Sequence, residues 1–194
     1  MNDKIPMPYE HQTTTTDFIV ANPKCMITSD PGTGKTRAVL DALAQFKGRT
    51  LVLAPLSILE AAWGEDIDKF TPALTYGVAY AKNRQKVFED TSTDLVITNF
   101  EAVNFLIKNK HLLKGFNTLV IDEFTAFKNR TAKRSKNMAK LSVLFDNRIA
   151  MSGTPNSNTI LDIWHPTYIV DDGDRLGARY FAFRNTVCTP KFNG

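Results

Sequence analysis

The segment from Ser29 to Thr36, SDPGTGKT, has residue types and spacing suited to holding phosphate. Its glycines would let backbone N–H groups close around phosphate oxygens, and a helix starting there would add positive dipole. Lys35 would then reach the β- and γ-phosphates of a nucleotide, and the Thr36 hydroxyl would ligate Mg²⁺. The first position departs from the strict pattern, because Ser29 stands where glycine is usual. The alternative is an ordinary glycine-rich turn, but an apolar run before the segment and a helical pattern after it favour nucleotide.

A second candidate is the apolar run 119–123, LVIDE, which ends in two carboxylates. Asp122 would hold Mg²⁺ through water, and Glu123 would orient and deprotonate the attacking water in phosphoryl transfer. Alone this pattern is weak, because many buried strands end in a charged turn. Together with the Lys35 segment it predicts a catalytic set of Lys35, Asp122 and Glu123. No N-K-x-D guanine-reading motif occurs, since residues 109–112 read NKHL, and ATP is therefore the default nucleotide.

Two further segments allow both a functional and a plain structural interpretation. Ser152 and Thr154, in MSGTP, could sense a γ-phosphate or relay its loss, but by itself this segment favours a simple turn. Between Phe124 and Phe145 there is no acidic residue, and the basic ones are Lys128, Arg130, Lys133, Arg134, Lys136 and Lys140. This run could contact a nucleic-acid backbone, with strong salt dependence, or form a solvated helix face.

The elements that would position these residues alternate between apolar and amphipathic runs, which indicates βαβ units. The predicted strands are 24–28, 50–54, 74–79, 94–98, 118–122 and 148–152. The predicted helices are 33–46, 57–70, 83–89, 100–109 and 132–145, with a weaker one at 162–170. Strands 50–54 and 118–121 are almost wholly apolar, which is typical of a parallel sheet covered on both faces. Because ligands bind beyond the carboxyl ends of such strands, we expect the polar clusters to converge at one edge.

The alternating runs predict an α/β fold, and the length indicates one domain, taken here as 1–194, or one domain with an appendage. The chain has 194 residues, 43% hydrophobic and 23% charged, which excludes disordered, collagen-like and disulfide-scaffold proteins. No apolar run reaches the roughly 18–20 residues of a membrane helix, and we expect no membrane partner. Two cysteines without metal spacing favour a reducing, intracellular and cytoplasmic setting. The net charge of +4 permits a nucleic-acid partner without demanding one.

Taken in order, these segments resemble the first RecA-like lobe of a superfamily 2 helicase, more narrowly the Swi/Snf-type (chromatin-remodeller-like) branch of DNA translocases. Residues 9–12, YEHQ, resemble the glutamine motif that recognises adenine. The resemblance implies that Gln12 makes this contact. Residues 51–57, 96–101, 122–129 and 152–158 resemble motifs Ia, Ib, II and III. The residues that resemble motif I are Asp30, Pro31, Gly32, Thr33, Gly34, Lys35 and Thr36. The order of six segments is more specific than any one of them, and it covers nearly the whole chain.

The resemblance implies an ATP- and Mg²⁺-dependent motor lobe that follows the phosphates of DNA, in duplex form and without sequence specificity. The implied DNA contacts are Pro55, Ser57, Thr98, Asn99, Lys128 and Arg130. Ser152 and Thr154 take the coupling role of motif III. The sequence departs from the family in motif II, where Phe124 and Thr125 stand in place of the frequent Ala-His. Trp63 and Trp164 are interpreted as core residues.

The resemblance also implies a second RecA-like lobe with an arginine finger, which we expect from a partner segment or polypeptide because these 194 residues match only the first lobe. A bacterial or phage source is favoured by the compact loops between motifs. The competing interpretation is a stand-alone nucleotide- or DNA-binding module that regulates another helicase without turnover of its own. An AAA-type ATPase is disfavoured by Gln12 and by the 55–57 motif.

Overall fold

A computed structural model describes residues 5–155 and 158–189 of the chain. Six parallel strands form one sheet in the order β1-β6-β5-β2-β4-β3. The strands are β1 Lys24–Ile27, β2 Arg49–Ala54, β3 Tyr76–Ala79, β4 Leu95–Asn99, β5 Phe116–Asp122 and β6 Asn147–Met151. Each predicted strand is present within about two residues of its predicted bounds. The inner strands β2, β4, β5 and β6 are buried along nearly their whole length, as continuous apolar runs predict, while the edge strands β1 and β3 are only partly buried.

Helices cover both faces of the sheet, which confirms the predicted α/β architecture. They are α1 Glu10–Ala21, α2 Lys35–Leu43, α3 Glu65–Phe70, α4 Arg84–Glu89, α5 Ala102–Leu106, α6 Lys133–Ser142, α7 Trp164–Asp171 and α8 Tyr180–Val187. Helices α1, α2 and α3 bury Ile19, Leu40 and Ile67 in the core on one face. Helices α4 to α7 contribute Phe88, Val103, Met138 and Ile169, among others, to the core on the other face.

The predicted helix 57–70 is wrong in its first half. The chain forms a 3₁₀ turn at Leu56–Ile58 and a π-helix at Leu59–Gly64 before α3 begins at Glu65. Ser57 and Glu60 have capping-box spacing, but Ser57 lies inside the 3₁₀ turn, and neither helical start carries a side-chain cap hydrogen bond. The predicted helix 100–109 is likewise reduced to α5, followed by a 3₁₀ turn at Lys110–Leu113.

The strand register places three loops at the same level of the carboxyl edge. Ile27 of β1 pairs with Met151 of β6, and Met151 pairs with Asp122 of β5. The residues that follow these three positions therefore emerge side by side. Among the described residues, no helix is both long enough and apolar enough to cross a bilayer.

Candidate nucleotide site and its neighbouring surface

The loop between β1 and α2 is closed around the ammonium group of Lys35. Lys35 is the first residue of α2, and its Nζ donates hydrogen bonds to the carbonyl oxygens of Ser29 at 2.8 Å and Asp30 at 2.9 Å. Gly32 and Gly34 have φ of +79° and +75°, a left-handed conformation that glycine adopts without the cost of a Cβ. Thr33 Oγ1 also donates to the carbonyl of Asp30, at 2.9 Å. The loop is thus a compact turn that presents a cation at the start of a helix.

Helix α1 packs its Gln12 side chain against this loop. Gln12 is 8% exposed, its Oε1 accepts from the Tyr9 backbone N–H at 3.0 Å, and its Nε2 donates to the Thr33 carbonyl at 3.4 Å. His11 Nε2 lies 2.9 Å from the same carbonyl oxygen. A Cβ at Gly34 would overlap the Gln12 amide, so a larger residue there would displace that side chain in addition to straining the backbone at φ +75°. The glutamine therefore touches the candidate phosphate loop directly.

Asp122 is the last residue of β5 and Glu123 follows it, and each is held by a different neighbour. The indole Nε1 of Trp63 donates to Asp122 Oδ2 at 2.9 Å. Burial raises the pKa of Asp122, and the adjacent Glu123 charge acts in the same direction; the Trp63 hydrogen bond and the Lys35 charge oppose that rise. Trp63 is fully buried, as expected of a core residue, but its hydrogen bond to the candidate metal ligand was missed. The available signal was that a buried indole N–H almost always needs an acceptor.

Glu123 is held by two hydroxyl groups that donate to one carboxylate oxygen. Thr125 Oγ1 and Ser152 Oγ each lie 2.6 Å from Glu123 Oε1. The Thr154 backbone N–H donates in turn to Ser152 Oγ at 3.0 Å. Ser152 is 1% exposed, whereas Thr154 is exposed and Glu123 is half-buried, so the buried serine hydroxyl connects the 152–154 turn to the candidate base. Taken alone, the residue types of the 152–154 segment favoured a simple turn. No sequence pattern indicated that Thr125 would donate a hydrogen bond to Glu123.

The 152–154 turn also lies against the candidate phosphate loop. A Cβ added at Gly153 would stand 2.7 Å from Pro31 Cγ and 2.9 Å from Pro31 Cδ. The turn therefore contacts the loop on one side and Glu123 on the other. Any movement of the Pro31 segment changes the space available to Ser152 and its neighbours.

The candidate DNA contacts that follow β2 or end β4 lie at the same carboxyl edge, but Thr98 and Asn99 are buried. Ser57 is exposed in the 3₁₀ turn that follows Pro55. The Thr98 side chain is fully buried and its hydroxyl donates to the Ala79 carbonyl at 2.6 Å, so it bonds within the sheet and does not face a ligand. Asn99 is 6% exposed, and its Oδ1 accepts from Arg84 Nη2 at 3.1 Å.

Arg84 is a further cation at this edge that the sequence patterns did not indicate. It lies at the start of α4, with its guanidinium 5.7 Å from the centre of the Phe105 ring. Its Nε is buried and has no hydrogen-bond partner among the described residues. No motif marks this residue, because its relation to Asn99 arises only from the pairing of β3 with β4.

The basic run divides into residues with intramolecular contacts and residues exposed on α6. Lys128 lies 3.8 Å from Asp162, and the Arg130 guanidinium stacks 4.2 Å from the centre of the Tyr180 ring. Arg134 Nη2 donates to the Ala126 carbonyl at 3.2 Å. The exposed members are Lys133, Lys136 and Lys140. An open cleft of about 720 Å³ lies between α5 and α6, lined by Glu101, Asn104, Asn129, Lys133 and Arg134 among others.

Comparison with known proteins relates this arrangement to one family. A family model described as the SNF2-related domain matches residues 11–167. Protein p41 of Acyrthosiphon pisum secondary endosymbiont phage 1 is 28% identical over 193 residues, covering 92% of this chain and 42% of that protein. The ATP-dependent helicase FUN30 of Saccharomyces cerevisiae is 29% identical over 156 residues, covering 72% of this chain and 13% of that protein. The chain thus spans less than half the length of these curated relatives.

A solved structure has the same fold. The Sulfolobus solfataricus SWI2/SNF2 ATPase core in complex with dsDNA superposes with a TM-score of 0.75 at 24% identity. The match covers 93% of this chain and 40% of that chain. The likeness therefore concerns the fold of nearly the whole sequence and only part of the larger protein.

Proposed function

Because the chain belongs to the SNF2-related domain family, we propose that it binds Mg²⁺-ATP and forms the ATP-hydrolysing lobe of a DNA translocase or helicase. The observation that carries this proposal is the register of β1, β6 and β5, which brings together Lys35, Asp122, Glu123 and Ser152. These groups come from three separate segments, and each is held by a hydrogen bond from or to a neighbouring group.

The described residues fit the nucleotide and the metal. The loop presents the Lys35 ammonium and the start of α2, and its two carbonyl partners can be exchanged for phosphate oxygens. The Thr36 hydroxyl and the Asp122 carboxylate are hard oxygen donors of the kind that Mg²⁺ prefers. When bound, Mg²⁺ neutralises charge on the β- and γ-phosphates. Asp30, Pro31, Gly32, Thr33 and Gly34 form the rest of the phosphate cradle, and Gln12 is proposed to read adenine.

Glu123 is proposed to orient the attacking water and accept its proton. A carboxylate that receives two hydroxyl hydrogen bonds on one oxygen is fixed in direction, and its second oxygen remains for the water. Ser152 and Thr154 are proposed to couple the nucleotide state to the remainder of the motor. Their support is the hydrogen-bonded path from the Thr154 backbone through Ser152 to Glu123.

We propose that the same edge contacts the phosphates of duplex DNA without reading sequence. The support is the exposed Ser57 in the turn after Pro55 and the cations Arg84, Lys128 and Arg130 at this edge. Asn99 is buried, and its proposed part is to hold Arg84 in place. Phosphate contacts position a protein on DNA without specifying bases. Thr98 is left out, since its hydroxyl already bonds within the sheet.

We propose further that residues 1–194 act as one domain and that a second RecA-like lobe, on the same or another polypeptide, supplies the arginine finger. The greater length of p41 and FUN30 supports this, because most of each relative lies outside the matched region. An arginine finger contributes about 10³–10⁵ in rate in related phosphoryl transfers. We therefore expect slow turnover, or none, from this lobe by itself.

The deciding experiment measures Mg²⁺-dependent ATP binding and steady-state hydrolysis by the purified chain, with and without duplex DNA. Binding that is lost in Lys35→Ala, with hydrolysis that is lost in Glu123→Gln, would support an ATPase lobe. Binding that Lys35→Ala abolishes, without turnover in either condition, is the result expected of a lobe that needs the arginine finger of a second lobe. Turnover restored by a copurifying second-lobe polypeptide would separate this lobe from a module that serves another helicase without turnover of its own. A chain that binds no nucleotide in the presence of Mg²⁺ would refute the proposal.

A further inference from the structure

We propose that Trp63 is a positioning residue for the metal site, and that its indole N–H sets the orientation of the Asp122 carboxylate. This inference rests on the proposed function, because it takes Asp122 as a ligand of Mg²⁺. It deepens that proposal by assigning a polar role to a fully buried aromatic side chain from a different segment of the chain.

Few groups determine the orientation of the Asp122 carboxylate. Trp63 Nε1 lies 2.9 Å from Asp122 Oδ2, within the range of a strong hydrogen bond to a charged acceptor. The Glu123 backbone N–H also donates a hydrogen bond to the carboxylate, the Glu123 charge repels it, and Lys35 attracts it from the phosphate loop. A hydrogen bond to one oxygen fixes the rotation of the carboxylate about its own axis. That rotation decides where the second oxygen points, and hence whether it can face a metal.

The π-helix Leu59–Gly64 explains how Trp63 reaches this position. The segment follows β2, while Asp122 ends β5, and β2 and β5 are neighbours in the sheet. A π-helix turns less per residue than an α-helix, so the same sequence wound as an α-helix would rotate Trp63 away from its present direction. Single turns of π-helix are uncommon and occur frequently at functional sites. The π-helical winding of the segment and the hydrogen bond to Asp122 are therefore two observations that support the role proposed for Trp63.

Trp63 also has the packing of a core residue, with no exposed surface, so the test must separate packing from positioning. Trp63→Phe keeps an aromatic ring and removes the N–H donor. Trp164→Phe is the matched control, because Trp164 is 6% exposed and its Nε1 donates to the Gly177 carbonyl at 3.1 Å, far along the chain from the carboxylates. Both variants lose one buried indole hydrogen bond, but only one of these bonds ends on Asp122.

The experiment measures equilibrium binding of a non-hydrolysable ATP analogue with Mg²⁺ and with EDTA. For Trp63→Phe we expect the Mg²⁺-dependent gain in affinity to fall about tenfold, while binding in EDTA is unchanged. For Trp164→Phe we expect the gain to stay as in the wild type. An unchanged gain in Trp63→Phe, or an equal loss in both variants, would overturn the inference and leave the proposed function standing. A wild-type chain with no Mg²⁺-dependent binding would overturn both.

A fluorescence measurement keeps the inference testable if Trp63→Phe does not fold. The sequence contains two tryptophans, so the Trp164→Phe chain carries Trp63 as its single indole fluorophore. Adding Mg²⁺ to this chain with bound analogue should shift the Trp63 emission, and Asp122→Ala should remove the shift. Analogue binding with no change in emission on adding Mg²⁺ would count against positioning.

Discussion

Glu123 adopts a left-handed conformation, with φ +62° and ψ +65°, which costs a non-glycine residue about 1–2 kcal/mol. The hydroxyls of Thr125 and Ser152 hold the side chain in spite of this cost. The same backbone turn directs Asp122 and Glu123 to different neighbours, the indole of Trp63 and the two hydroxyls. The orientation of the candidate base Glu123 therefore depends on hydroxyl groups from two segments of the chain.

Ser152→Ala should lower DNA-stimulated ATP hydrolysis by about tenfold or more while leaving ATP affinity nearly unchanged. The reason is that a hydrogen bond to a charged group contributes about 1.5–3 kcal/mol, and Glu123 would lose one of its two. Steady-state hydrolysis and equilibrium ATP binding, measured side by side, check the prediction. Thr125→Val is the matched comparison, and a larger loss of ATP affinity than of turnover in Ser152→Ala would contradict it.

Gly153→Ala should weaken ATP binding severalfold, because the new methyl group would meet the Pro31 ring at 2.7–2.9 Å and displace the phosphate loop. The measurement is the dissociation constant of a fluorescent ATP analogue. Pro31→Ala combined with Gly153→Ala should recover part of the affinity, since it removes the ring atoms that collide. Absence of any recovery would mean that the 152–154 turn and the loop are not coupled at this point.

The sequence predicts the residue types of the site better than it predicts their bonds. Lys35, Asp122 and Glu123 follow from motif spacing, and the structure places them at one edge. The hydrogen bond from Trp63 to Asp122 was not predicted, because the two residues are distant in the sequence and Trp63 lies in an irregular helix. Thr98 was interpreted as a DNA contact from its place at a strand end, but the direction of its hydroxyl depends on β3, which pairs beside it.

Helix α1 forms although it contains four consecutive threonines, which are poor helix formers. Thr13, Thr14, Thr15 and Thr16 each donate a hydroxyl hydrogen bond to the carbonyl four residues earlier. Thr16 also donates to the Ala38 carbonyl of α2 at 3.1 Å. Packing on α2 thus stabilises an element with weak propensity, and the same packing sets Gln12 beside the loop.

Helix α7 carries a buried histidine that should make stability depend on pH. Burial lowers the pKa of His165 from its ordinary value of 6.5, and the Arg130 charge lowers it further, against the hydrogen bond of Nδ1 with the Phe127 carbonyl. The unfolded chain therefore takes up the proton first, so stability is full above about pH 6.5 and falls as the pH drops through the folded pKa. The slope for one proton is at most about 1.4 kcal/mol per pH unit.

The measurement is urea unfolding of the wild type and His165→Asn between pH 8 and pH 5. Asparagine keeps an N–H donor near the Nδ1 position and does not titrate there, so this variant should lose part of the pH dependence. His111→Asn, which changes an exposed histidine, is the control. Equal pH dependence in the wild type and His165→Asn would show that this histidine does not limit acid stability.

Strands were predicted more accurately than helices for a physical reason. A strand buried on both faces needs a continuous apolar run, and that run is visible in the sequence. The winding of 57–70 depends on where Trp63 and the neighbouring side chains fit against the sheet, which local sequence does not encode. The weak helix expected at 162–170 is present as α7, one or two residues later, after a 3₁₀ turn at Ile160–Ile163.

On the scale of the whole molecule, the positive charge is distributed unevenly around the proposed DNA edge. Lys133 and Lys136 are exposed in the first turns of α6, close to the carboxyl end of β5. Lys110 and Lys114 are also exposed but lie just before β5, at the opposite edge of the sheet. The two pairs allow charge position to be tested at constant net charge.

Lys133→Gln with Lys136→Gln should weaken duplex binding and reduce the slope of log K against log salt by about 0.9 for each phosphate that the protein no longer neutralises. Lys110→Gln with Lys114→Gln removes the same charge and should leave that slope nearly unchanged. Fluorescence anisotropy of labelled duplex over a range of salt concentrations measures both. Equal slopes in the two double variants would place the DNA elsewhere.

The position of β1 at the end of the strand order has a consequence for how the chain acquires its site during synthesis. β1 pairs with β6 alone, so Lys24 meets its partner Arg148 only after all the other strands have been made. The loop that follows β1 leaves the ribosome early, yet its strand has no neighbour in the sheet until β6 emerges and inserts beside β5. A nascent chain that stops before Asn147 would expose two unpaired edges, on β1 and on β5, and would be prone to edge-to-edge association. Nucleotide binding by ribosome-arrested chains of increasing length should therefore appear abruptly once β6 is available.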